Sequence, residues 1–118
     1  MSARRYEERD GRPVVVDVMF DGSESVRWVM VLDSHAALLD ATVIDRLLRS
    51  REVLEACVAY DDARAAALHP PPRYSSDKGF IRARERAAEV EMRRRDTVVE
   101  EVTGLDWIPG LILWEVQS

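Results

Sequence analysis

Apolar and polar residues alternate in two early stretches, RPVVVDVMF (residues 12–20) and VRWVMVL (26–32), and a period of two predicts β-strands. DGSES separates them, and its Asp21 and Gly22 supply turn chemistry, so the pair reads as a β-hairpin with a five-residue connection. Alternation puts Val14, Val16, Val18 and Phe20 on one face with Val26, Trp28, Met30 and Leu32. The other face carries Val15, Asp17, Met19, Arg27, Val29 and Val31, apolar enough to predict that part of it is covered too.

The period changes after Asp33 and Ser34, either of which can cap a helix. Helix is predicted from there through Leu68, with Val43, Leu47, Leu54, Val58, Ala65 and Leu68 at three-to-four spacing. Ser50 is a breaking point within it, and Asp40 or Thr42 is an alternative cap, Thr42 with Asp45 matching a loose capping box. HPPPRYSSD (69–77) ends the helix, because successive prolines lack donors and clash with a helical path.

Ser75, Ser76 and Asp77 are candidate caps for a last helix from Lys78 to Val102, about 36 Å long, which Thr103 and Gly104 stop. Within it TVVEEVT (97–103) also carries strand propensity. WIPG (107–110) predicts a turn, and LILWEVQ (111–117) a strand that joins the sheet of the hairpin. Residues 1–11 show no periodicity and read as a flexible charged arm ahead of a single domain, 12–118. The predicted class is α+β in the order β-β-α-α-α-β: an N-terminal hairpin and a C-terminal strand form a small antiparallel sheet packed against a helical hairpin.

Composition narrows the function classes. A chain of 118 residues is one domain, and 47% hydrophobic with 33% charged residues places it among globular proteins. No apolar run approaches the roughly 18 residues of a membrane span, and MSARRYEERDG lacks the apolar segment of a secretory signal, so a cytoplasmic protein without a membrane partner is expected. Cys57 is the single cysteine, which excludes an intrachain disulfide and a cysteine-rich zinc site. A net charge of −5 argues against generic DNA coating, which needs cations to replace phosphate counterions.

The chemistry concentrates in RARERAAEVEMRRR (82–95), with six arginines and three glutamates in fourteen positions. On a helical wheel Phe80, Ile81, Ala83, Ala87, Ala88, Val90, Met92, Val98, Val99 and Val102 share one half, and Arg84, Glu91, Arg94 and Arg95 fall among them. Buried charges need partners or an escape route for the charged head. Snorkelling of the arginine stems answers part of the problem. Glu91 is also placed to pair with Arg94 or Arg95, Asp61 interrupts the preceding helix where an arginine can reach it, and a second copy packed antiparallel would set Glu91 against its arginines. Guanidinium suits such half-buried pairing better than ammonium does, and sixteen arginines stand against one lysine, Lys78.

Arg73, Ser75, Ser76, Lys78 and Gly79 form a candidate anion site at the start of the last helix, opposed by Asp77 and lacking phosphate-loop glycine spacing. His35 and His69 have no second ligand at metal spacing, so no metal and no cofactor are expected. Cys57 among Leu54 and Val58 reads as core, and Trp28, Trp107 and Trp114 as core or contact residues. The function expected is protein binding, by a small homo-oligomeric adaptor, regulator or assembly component that uses Arg84, Glu91, Arg94, Arg95, Asp61, Trp107 and Trp114. The alternative is a nucleic-acid-associated regulator contacting phosphates through Arg73, Arg82, Arg86, Arg93, Arg94 and Arg95; a small enzyme ranks third.

Overall fold

A computed structural model describes residues 3–34, 38–105 and 111–116, leaving aside the side chains at 112 and 115. Four strands, β1 (Ala3–Arg9), β2 (Arg12–Val18), β3 (Glu24–Leu32) and β4 (Leu111–Glu115), make one antiparallel sheet in the order β1-β2-β3-β4. Among the described residues three α-helices follow β3: α1 (Ala41–Arg49), α2 (Arg51–Leu68) and α3 (Lys78–Thr103). The class is α+β in the expected order, with the C-terminal strand joined to the hairpin and one strand added at the front.

That added strand corrects the reading of residues 1–11 as an arm. Ala3–Arg9 pairs with β2 along its whole length, from Ala3 opposite Val18 to Arg9 opposite Arg12. Asp10 and Gly11, with φ of 56° and 77°, form the two-residue turn. Left-handed backbone at both positions gives a turn whose twist matches the strands, and Asp-Gly is its best-suited dipeptide. Charge fastens this edge together with Tyr6, which packs against the core. Arg5 bonds both Glu7 and Glu24, and Arg9 approaches Glu7 at 3.2 Å. Arg4 reaches Asp62 of α2 at 2.7 Å, and that carboxylate raises the guanidinium pKa further.

The hairpin of β2 and β3 forms as expected, but its faces do not follow uninterrupted alternation. Val15 lies opposite Trp28 while Val16 lies opposite Val26, so the register shifts by one residue and a bulge at Arg27 interrupts the β2–β3 ladder. Val15, not Val14 or Val16, therefore shares a face with Trp28 and Met30. That face meets the helices. Val15, Trp28 and Met30 join Leu47, Leu48, Val53, Leu54, Cys57, Val58 and Val99 in one core. Trp28 is flanked by the guanidinium groups of Arg4 and Arg27, 4.7 and 4.8 Å from the ring centre.

The helices start and stop where local chemistry allows. The first α-helix begins at Ala41, later than the expected start near Ser34, because the Asp40 carboxylate accepts from Thr42 N. Ser50 breaks the path by capping α2 through Val53 N. The prolines of 70–72 enforce the reversal, with a short 3-10 turn over Pro72–Tyr74. Asp77, among the three candidates, caps α3 by accepting from Phe80 N, and Gly104 ends it in left-handed backbone. Residues 97–103 are therefore helix, and the strand alternative is excluded. The WIPG turn, Trp107 and His35 lie outside the described residues.

The layers stack as sheet, then α1 with α2, then α3. The helices α1 and α2 contact β2, whereas α3 packs on α2 and α1 and barely touches the sheet. A helix held on one side only buries little, and in α3 only Val99 and Thr103 are fully buried. The radius of gyration, 16.0 Å, exceeds the roughly 13.5 Å of a compact chain of this length. Buried residues in α2 stop at Val58, so the tip of the α2/α3 hairpin stands clear of the core.

Candidate functional site

The seam of α3 on α2 is defined by its half-buried positions. Ile81, Arg84, Ala88, Glu91, Arg95, Val98 and Val102 are half-buried and follow alternating steps of three and four residues, the spacing of a coiled-coil stripe. Three positions in that stripe are charged. Sequence periodicity correctly places Arg84, Glu91 and Arg95 towards packed atoms, but Arg94 points outwards with its side chain 67% exposed.

Each inward charge is handled differently. Arg84 donates to the Ala66 carbonyl at 2.8 Å and lies over the Phe80 ring at 4.5 Å. Ala66 belongs to the last turn of α2, whose carbonyls lack helical partners and carry the negative end of the dipole, so a cation there is doubly favoured. Arg95 lies over Tyr60 at 4.6 Å and bonds Asp96 at 3.2 Å. Glu91 is the exception. Its Oε2 is buried without a hydrogen-bond partner, and Arg94 Nη1, 3.7 Å away, is near enough for attraction but too far to donate.

Asp61 does not provide the expected counterpart: it has no ion pair among the described residues, and Asp62 takes Arg4 of β1 instead. Across the helical hairpin, the arginines of α3 use a carbonyl and an aromatic face rather than a carboxylate. The reversal is braced likewise. Tyr74 and Phe80 stack at 4.3 Å between Arg73, 4.8 Å from the Tyr74 ring, and Arg84 over Phe80.

The wide apolar half of the wheel divides in the structure. Ala83, Ala87 and Val90 face solvent, Val90 with 61% of its surface exposed. Outward, Arg82, Glu85, Arg86, Glu89, Arg93 and Asp96 alternate in sign before a second acid, Glu100, so phosphates would meet carboxylates beside each of these arginines. Trp114 is also open, 55% exposed, on the sheet face turned away from the helices.

No family model, curated protein or solved structure matches this chain. Its own geometry must carry the functional reading. The candidate anion residues are already engaged in part: Asp77 occupies Phe80 N, Ser75 Oγ donates to the Pro72 carbonyl at 2.9 Å, and Arg73 rests on Tyr74. Ser76, Lys78 and Gly79 are exposed beside them. Among the described residues no His, Cys, Asp and Glu group is arranged to hold a metal, and no helix is long and apolar enough to cross a membrane.

Cys57 is buried, and desolvation pushes its thiol up to about 11, which keeps it protonated and a poor nucleophile near neutrality. A cavity of about 550 Å³ opens between the β1–β2 turn and the end of β3. Its ionisable lining is Arg9, Asp10 and Arg12 against valines and Met30, which offers neither a nucleophile nor a base beside one. The β1 edge is the feature periodicity missed; the Asp10-Gly11 dipeptide was the available signal.

Proposed function

We propose that this protein is a protein-binding module, an adaptor or assembly component whose contact surface is the outward side of α3 near the tip of the α2/α3 hairpin. One observation carries the reading. The stripe of α3 that packs on α2 contains Arg84, Glu91 and Arg95, while Ala83, Ala87 and Val90 of the same helix face water. Small apolar residues on an exposed helix allow another helix to approach closely, and the flanking arginines and carboxylates set its register by charge. Arg94 at the border, its side chain 67% exposed, offers an accessible cation to such a partner.

The nucleic-acid alternative has less support, since the exposed arginines of α3 are interleaved with acids and the chain carries net −5. The test is a photo-crosslinking amino acid placed at Val90, with one at Asp21 as a remote control. A protein adduct from position 90, lost in an Ala87→Glu variant that keeps its helical circular dichroism, supports the reading. Equal labelling from both positions, or adducts indifferent to Ala87→Glu, refutes it.

A further inference from the structure

The two edges of the sheet are chemically opposite, and we propose that two copies of this chain join through the free edge of β4, extending the sheet across a two-fold axis. This rests on the sheet alone and is independent of the reading of α3. Unpaired strand edges template pairing with another chain, and charge is a common guard against it. The β1 edge is guarded by Arg4, Arg5, Glu7, Glu8 and Arg9. The β4 edge has Leu111, Ile112, Leu113 and Trp114 before its first charge at Glu115, and among the described residues no strand pairs with it.

The direction of its hydrogen bonds specifies the register. Val116 N donates to the Arg27 carbonyl at 2.9 Å, continuing the β3–β4 ladder. Bonding alternates along an antiparallel pair, so residues 112 and 114 also turn their amides and carbonyls to β3, while 111, 113 and 115 turn theirs to the free edge. A second β4 laid antiparallel with the axis at Leu113 pairs Leu113 with the second copy's Leu113 and residue 111 with 115. Each pair exchanges both backbone bonds, and a one-residue slip destroys that match.

Side-chain chemistry agrees with this register. Trp114, 55% exposed on the outer sheet face, stands beside the seam in both copies and is partly covered there. Glu115 stands opposite Leu111, which keeps the two Glu115 positions about 14 Å apart, beyond effective repulsion in physiological salt. The occupant that fits an uncharged strand with this bond pattern is the strand itself. Joined in this way, the copies keep their helical hairpins on one side of the sheet.

The test combines sedimentation across concentrations with residue-resolved hydrogen exchange on the full chain. Expected are a reversible dimer and slower exchange of the 111, 113 and 115 amides as concentration rises. Trp114→Lys, on an exposed side chain, weakens the dimer at least about tenfold. Leu113→Pro, whose lost amide belongs to the free edge, abolishes it. Val90→Glu on α3 leaves the dimer unchanged, so the two surfaces fail separately. A chain that stays monomeric, a dimer indifferent to Trp114→Lys, or edge amides protected equally at every concentration overturns the proposal. So does a dimer broken by Val90→Glu alone, which would assign the contact to α3. The exchange readout uses the unaltered chain and does not depend on any variant folding.

Discussion

Replacing Glu91 by methionine should stabilise this protein, although Glu91 lies in an ion pair. Its Oε2 is desolvated without a donor, and leaving a buried acceptor unsatisfied costs about 1–3 kcal/mol. The compensating attraction is to Arg94, 3.7 Å away and 67% exposed, and a solvent-screened pair of that kind is worth less than about 1 kcal/mol. Methionine matches glutamate in helix propensity and fits a half-buried stripe between Ala88 and Arg95, so propensity and packing add little. The net expectation is a gain of about 1 kcal/mol, or roughly 3–5 °C in Tm for a chain of this size. Equilibrium urea unfolding, followed by far-UV circular dichroism at low protein concentration, measures it. A double-mutant cycle with Arg94→Ala should give a coupling below about 0.5 kcal/mol. A loss of stability in Glu91→Met, or a coupling above about 1.5 kcal/mol, would refute the reasoning by showing that the carboxylate has a strong partner in the folded chain.

Other consequences are as direct. Asp77→Ala removes the acceptor of Phe80 N and should cost about 1 kcal/mol by thermal unfolding, with Asp77→Ser recovering most of it. Gly11→Ala places a Cβ at φ 77° and should destabilise the chain by about 1 kcal/mol or more; the nearby Arg49 Nη1, 2.9 Å from that Cβ, can swing aside, so backbone strain dominates. The thiol of Cys57 titrates higher in the folded than in the unfolded chain, so the unfolded state loses its proton first and stability falls as pH rises from the ordinary thiol range towards about 11. Urea midpoints of the natural chain and Cys57→Ala, compared at pH 8 and pH 10.5, should converge with rising pH; parallel curves contradict the burial argument.

How much of this was legible in the letters follows from which interactions are local. The β2–β3 hairpin, the break at Ser50, the reversal at 69–77 and the stop at Gly104 depend on neighbouring residues, and periodicity and capping chemistry expose them. The presence of arginine and glutamate in the packed stripe of α3 was legible for the same reason, since a 3.6-residue repeat fixes which residues share a face. Tertiary structure decided the rest. Only pairing with β2 makes an edge strand of charged Ala3–Arg9, because backbone bonds, the Arg4–Asp62 and Arg5–Glu24 ion pairs and the single packed Tyr6 hold it without an apolar stripe. Only the bulge at Arg27 moves Val15 to the Trp28 face. Only the packing of α3 on one side exposes Ala83, Ala87 and Val90, gives Arg84 the Ala66 carbonyl and Arg95 the Tyr60 ring, and leaves Asp61 without an ion pair among the described residues. Sequence determines a helix's faces from its own repeat, whereas how wide a face is buried, and against which atoms, depends on distant segments whose approach no local pattern encodes.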